Sequence, residues 1–500
     1  MNRLIVKAFY WPVLMALMLA AACSTPKTSS IHDLLETCKS DDGPADALCG
    51  TLEVFEDREA ATGRKIPLKI IVLPALGNDP KSDPLFFLAG GPGGGAADMA
   101  AGVKPVFARM QSDRDIVLVD QRGTGESNPL KCELGEDSLE DLSKAGEMPL
   151  EKFQACLDGY DADAKLYTTS IAMDDLDDVR QFLGYGAINI YGGSYGTRAA
   201  LVYLRRHGEH VRAVVLDGVA PPNMRLPLYI PRDGQRALDL LISDCEADAA
   251  CRERFPTFGR NVQSLFARLD AKPSVVRLVH PRTGEAAEVT VKRELVAGVI
   301  MSALYSPLLS SLLPNLLERA NEGDFQGLVA LASVNEGAAD MISQGMYYSV
   351  VCAEDAPRVT PEEIEKESAG TFLGGRSSEM RLQPCEFWPK GDVAKEYYEP
   401  VVSDAPVLIL SGKLDPVTPP VWGEQVLEHL PNARHIVVPG AGHGAFGQGC
   451  VSRLIREFVD QADAQSLDAA CVEKIHRPPF FVNNVGPRNG ENIEPQDTEN

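Results

Sequence analysis

The sequence predicts an α/β fold: a mostly parallel sheet carrying an inserted, mainly helical cap. Three observations predict it. Short continuous apolar runs recur along the chain without polar alternation, as suits strands buried on both faces of a parallel sheet. Amphipathic, helix-prone stretches lie between several of them, which is the β-α-β rhythm. One long interval, from about Pro221 to Val401, breaks that rhythm with mostly helical sequence.

In chain order the strand candidates are Ile66–Leu73, Pro84–Leu88, Ile116–Val119, Ile188–Tyr191, Ala213–Leu216, Val407–Leu410 and His435–Val438. Ala172–Leu183 and Pro420–Leu430 read as helices between strands. Within the interval, Glu294–Leu304 and Leu308–Ala320 read as helices, and Ser274–Leu278 and Glu288–Val291 give a weak strand signal. The 500 residues fit one large core with an inserted subdomain. The expected organisation is a core in two parts, 31–220 and 401–480, with the cap at 221–400. The polar tail at 481–500, rich in Pro, Asn, Gly, Glu and Asp, is expected to be disordered.

Residues 1–22 are expected to be a signal peptide. Arg3 and Lys7 precede the apolar stretch Ala8–Ala22, which ends in small residues before Cys23 and is too short for a comfortable membrane span. Cys23 at that boundary resembles a bacterial lipobox, with Ala20 where leucine is usual. The resemblance implies that Cys23 is lipidated, that 23–30 is a polar tether, and that Ser24 after it directs the product to the outer membrane. The expected location is therefore outside the cytoplasm, in the periplasm or on the outer membrane. Ten of the eleven cysteines then remain, an even number that points to disulfides in an exported chain. Sequence leaves the connectivity open; pairing neighbours would close short local loops. The chain has no C-x-x-C, no H-E-x-x-H and no tight His/Cys cluster, so no metal and no other cofactor is expected. A net charge of −23 argues against nucleic acid as a partner. It does not fix the oligomeric state.

The chemistry centres on Ile188-Asn-Ile-Tyr-Gly-Gly-Ser194-Tyr-Gly-Thr-Arg198. A strand candidate runs into G-x-S-x-G and then into a helix-prone stretch. This is the context of a nucleophile elbow, whose turn is too tight for side chains at the flanking glycines. A serine hydroxyl needs a base, and the base an orienting acid. His443 is the best base, in the small-residue loop Pro439-Gly-Ala-Gly-His-Gly-Ala after the last strand candidate. Asp415, after Val407–Leu410, is the best acid. Asp217, after Ala213–Leu216, is its rival. The oxyanion donors are expected to be the backbone N–H groups of Tyr195 and Gly91; Pro92 has none to give. The glycine run at 90–95 also mimics a dinucleotide fingerprint, but no clear helix follows it directly.

Three segments stand together: Gly90-Gly-Pro-Gly, Asp120-Gln-Arg-Gly-Thr-Gly-Glu-Ser127 and Gly192-Gly-Ser-Tyr-Gly. With the Asp415 and His443 loops they resemble the proline iminopeptidase and tripeptidyl aminopeptidase family of serine peptidases, over most of the chain after the leader. The resemblance implies an α/β-hydrolase fold and an exported aminopeptidase that takes small peptides and needs no cofactor. It also implies a cap carboxylate that holds the substrate's free amine, for which Glu354 and Asp355 are the candidates. Ala89 departs from the family's usual histidine before Gly-Gly-Pro-Gly, which weakens the case for strict proline specificity. Asp120 and Arg122 are expected to brace loops around the site. A carboxylesterase on the same triad is the alternative, and a surface binding lipoprotein with a relict elbow is a third reading.

Overall fold

Mostly short, apolar strands assemble into one nine-stranded sheet. The computed structural model describes residues 31–40, 46–134, 139–334 and 341–487. The leader, Cys23, the tether and residues 488–500 lie outside the described residues. The strands are β1 (Glu36–Cys38), β2 (Ala47–Phe55), β3 (Lys65–Leu73), β4 (Leu85–Leu88), β5 (Ile116–Val119), β6 (Ile188–Gly193), β7 (Val211–Asp217), β8 (Ser274–Val279), β9 (Ala286–Val291), β10 (Val407–Gly412) and β11 (Ala433–Val438). Sheet order is β1-β2-β3-β5-β4-β6-β7-β10-β11. β5 through β11 in that order run parallel, while β1, β2, β3 and β5 pair antiparallel.

Period two divides each central strand between two cores. Phe86 and Leu88 of β4 join one apolar layer with Val117 and Ile190. Leu85 and Phe87 face the opposite layer with Ile116 and Leu118. Helices Thr169–Phe182 and Tyr195–His207 cover the first face, and Val451–Gln461 the second.

Two strands were not anticipated. β1 and β2 extend the sheet at its antiparallel edge, where β2 has mixed burial and little continuous apolar sequence. The stretch Leu308–Ala320 is not one helix but two, Pro307–Ser310 and Leu313–Asn321. Pro314 lacks an N–H and so sits in the first turn of the second.

The span from 221 to 400 divides. Helices Ile230–Ala247, Phe258–Ala271 and Arg293–Leu304 and the β8–β9 hairpin share their own apolar cluster. From Tyr348 the chain returns to the sheet: Val351, Cys352, Trp388 and Tyr397 pack into the layer that holds Phe86 and Ile190. Residues 481–487 depart from the expectation of a disordered tail starting at 481. Phe481 N–H donates to Ser311 O at 3.1 Å and Asn315 Nδ2 donates to Asn484 Oδ1 at 2.9 Å, which ties this stretch to the second of the paired helices and its lead-in.

Five disulfides join chain neighbours: Cys38–Cys49, Cys132–Cys156, Cys245–Cys251, Cys352–Cys385 and Cys450–Cys471. Among the described residues no helix is long and apolar enough to cross a membrane.

Candidate active site

β6 ends in the elbow, and the backbone geometry there explains its glycines. A Cβ on Gly192 would lie 2.3 Å from Gly196 O, and one on Gly196 would lie 2.2 Å from Leu88 O. Neither position tolerates a side chain. Ser194 itself has φ +56° and ψ −125°, a conformation that costs an L-residue of the order of 1–3 kcal/mol. That turn places Ser194 at the start of helix Tyr195–His207, whose first N–H groups lack helical partners. Gly90 crosses close by: a Cβ there would sit 3.1 Å from Ser194 Cβ and 3.5 Å from its Oγ. Gly91, at φ +121°, precedes Pro92 in the same loop.

Asp415 follows β10 and is wholly buried. Its Oδ1 accepts the N–H groups of Val417 and Thr418, each at 2.8 Å, an Asx-type turn that fixes the carboxylate. Its Oδ2 pairs with His443 Nδ1 at 2.9 Å and accepts from Thr418 Oγ1 at 2.8 Å. Burial works to raise the Asp415 pKa, but the His443 ring and the two backbone donors outweigh it and hold the carboxyl below its usual range. For His443 burial acts to lower the pKa, and Asp415 outweighs it, so the imidazole's pKa lies above the ordinary value. The insert also holds this histidine. His443 N–H donates to Tyr305 O at 3.0 Å, and the two rings meet edge to face with centroids 5.0 Å apart.

The rival acid has another task. Asp217, at the end of β7, accepts from Tyr191 Oη at 2.8 Å and from the N–H groups of Ala445 and Phe446 at 2.9 Å. It anchors the loop that carries His443, while Asp415 meets the ring. Asp120 accepts the N–H groups of Ala97 (2.8 Å) and Glu126 (2.9 Å), tying the glycine loop to its own. Arg122, fully buried, donates to Asp175 and to the carbonyls of Glu56 and Leu166.

A cavity of about 470 Å³ opens over these residues, lined among others by Gly91, Ser194, Tyr305, Arg381 and His443. A second, of about 650 Å³, adjoins it and shares Ile230, Tyr305 and Arg381. Glu294 and Arg376 line the second.

Glu354 and Asp355 are not in either lining, which corrects the expectation that they meet substrate. Both are 0 % exposed, in the π-helical turn Val351–Asp355 behind the elbow helix. Glu354 accepts from Thr169 N (2.7 Å) and Oγ1 (2.9 Å) and from the Tyr397 hydroxyl. Thr169 Oγ1 in turn shares a 2.7 Å hydrogen bond with the Tyr195 hydroxyl. Asp355 accepts from Arg198 Nη1 at 3.0 Å, and burial pushes its pKa up to about 6. Lone pairs already engaged this way have no room for an ammonium ion. Removing one partner from a buried ion pair costs about 3–5 kcal/mol, so the cluster braces the elbow.

Thr418, Tyr305, Glu294, Arg376 and Arg381 were not anticipated. Thr418 was readable, since Asp-Pro-Val-Thr favours an Asx turn. The others carry no local signal; only the packing of the insert brings them to the cavity. Among the described residues no group of three or more His, Cys, Asp or Glu side chains is placed to hold a metal ion.

The chain is 30% identical over 459 residues to carboxylesterase B of Mycobacterium tuberculosis, covering 83% of this chain and 84% of that one. The family model for the alpha/beta hydrolase fold matches residues 83–279. This chain belongs to the α/β-hydrolase family. The TAP-like protein model matches residues 370–471 of the hydrolase. Serine protease Hip1 of Mycobacterium tuberculosis is 26% identical to it over 468 residues (86% of this chain, 88% of the relative). Tripeptidyl aminopeptidase of Streptomyces coelicolor is 23% identical over 471 residues (87% and 85%). The hydrolase is thus an enzyme of the serine hydrolase class, with both peptidases and a carboxylesterase among its relatives.

Proposed function

We propose that this hydrolase cleaves short peptides from their free amino end through an acyl-enzyme. Ser194 Oγ attacks the scissile carbonyl, and His443 takes its proton on Nε2 while Nδ1–H donates to Asp415. The N–H groups of Gly91 and Tyr195 face the developing oxyanion. His443 returns the proton to the leaving amine, and water then repeats the attack on the acyl-serine. The observation that carries this reading is the 2.9 Å contact of His443 Nδ1 with Asp415 Oδ2 on the wall of the cavity that Ser194 enters.

Roofing of the cavity by the insert supports short substrates. Glu294, the carboxylate on the adjoining cavity, takes the amine-holding role that Glu354 and Asp355 cannot fill. The five disulfides support an oxidising compartment, in keeping with export and with Cys23 as a lipidated N-terminus. Incorporation of labelled palmitate, lost in Cys23→Ala, checks the anchor; an unlabelled parent protein rules it out.

Acetylation of a tripeptide p-nitroanilide at its amino end is expected to lower kcat/KM by about tenfold or more, through loss of a charge-assisted contact. Glu294→Gln is expected to raise KM for the free peptide and to leave KM for p-nitrophenyl butyrate in place. Equal rates on free and blocked peptides contradict the aminopeptidase. They favour ester hydrolysis, which the apolar residues Phe87, Leu226, Val417 and Phe446 of the first cavity also suit.

A further inference from the structure

The two joined cavities carry an uncommon charge arrangement for so acidic a chain. The charged side chains on the lining of the first are Asp217, His443 and Arg381. Asp217 is occupied by Tyr191 and two backbone donors, and His443 by Asp415. Arg381 is therefore the charge that faces an incoming substrate. It lines the second cavity as well, where Arg376 joins it from the same helix, Gly374–Leu382.

Several arginines elsewhere in this fold are matched by carboxylates, while others, such as Arg268 and Arg434, are spent on backbone carbonyls. Arg58, Arg122, Arg198 and Arg456 each hold at least one carboxylate. Among the described residues neither Arg376 nor Arg381 enters an ion pair. Arg381 instead lies near Tyr347, which also lines the first cavity. The helix beneath is fixed: Ser378 is buried on it, and Cys385 just beyond it is tied to Cys352. Ile230, Leu226 and Met301 give the two linings apolar walls, while the Arg376 and Arg381 side chains are themselves exposed and open to an incoming anion.

We propose that Arg381, with Arg376 beside it, forms an anion-reading subsite that selects substrates whose acyl portion carries a carboxylate. The planar guanidinium matches a carboxylate in two parallel N–H···O contacts. For a peptide the ligand is an acidic residue at the amino end. Its ammonium faces Glu294, and its side-chain carboxylate faces Arg381. The inference rests on Ser194 being the nucleophile of this cavity, and its test is arranged to fail separately from the peptide reading.

Two matched pairs differ in one charge at nearly constant shape: α-glutamyl against glutaminyl p-nitroanilide, and p-nitrophenyl monoglutarate against p-nitrophenyl glutaramate. The enzyme is expected to favour the carboxylate member of each pair by about tenfold or more in kcat/KM, chiefly through KM. In Arg381→Ala the ratio falls to near one, Arg381→Lys keeps part of it, and Arg376→Ala lowers it less than Arg381→Ala. A readout independent of turnover is protection of Ser194 from a fluorophosphonate. Glutarate slows labelling and glutaramide does not, and Arg381→Ala abolishes the difference. Preference in the ester pair without anilide cleavage removes the peptide reading and keeps the subsite. Cleavage of both pairs at ratios near one, or glutarate protection that survives Arg381→Ala, overturns the subsite and leaves the peptide reading standing.

Discussion

Ser194→Ala is expected to lose about 10⁶-fold in kcat on peptide and ester substrates alike, with KM nearly unchanged. As the proposed attacking atom, the hydroxyl would meet substrate only in the reacting contact, so its loss removes transition-state stabilisation and little ground-state binding. The fold should persist. The elbow is held by close backbone approach at Gly192 and Gly196 and by the buried Arg198, Asp355 and Glu354 behind it, none of which needs the hydroxyl. Steady-state kinetics with circular dichroism on the same sample checks both halves. A variant that keeps more than about a thousandth of parent kcat would move the nucleophile elsewhere.

Asp415→Asn is expected to cost about 10⁴-fold in kcat, because the amide can present an N–H to Nδ1 and favour the wrong imidazole tautomer. It also changes the pH profile, and the sign follows from the balance at His443. Burial opposes the imidazolium, and the Asp415 carboxylate outweighs it, so the folded pKa lies above the ordinary value of about 6.5. The base must be neutral to accept the serine's proton. Activity therefore rises with pH through a midpoint above about 6.5 in the parent. With the carboxylate gone, burial remains and the midpoint moves to lower pH. Measuring kcat/KM from roughly pH 5 to pH 9 in both proteins reads this directly. An unchanged midpoint in Asp415→Asn would mean that Asp415 does not set the charge on His443.

The parts of the molecule legible in its sequence share one property: their signal is local. Seven apolar runs became β3 to β7, β10 and β11 because strands buried on both faces need no partner to be recognised. Gly192 and Gly196 announced the elbow because a backbone carbonyl stands where each Cβ would go. β2 was missed because an antiparallel strand next to the sheet edge, with one wet face, alternates weakly, and its Gly50 and Cys49 blur the period further.

Roles that depend on distant packing stayed out of reach. In sequence Glu354 and Asp355 stand as candidate amine-holding carboxylates of the cap. Their meaning is set by Thr169, Arg198 and Tyr397, which come from elements far away along the chain. Asp217 ends β7 and Asp415 follows β10, and only the loops around them decide which meets His443 and which holds its backbone. Arg381 gave no sign at all, since its place on the lining of the cavity that holds Ser194 depends on how the insert folds back.

The central claim is that Ser194 is made nucleophilic by His443, and peptide-level mass spectrometry after brief exposure to diisopropyl fluorophosphate tests it most directly. The adduct is predicted on Ser194, with labelling slowed by several orders of magnitude in His443→Ala. An adduct on another serine, or His443→Ala labelled at Ser194 as fast as the parent, would contradict it.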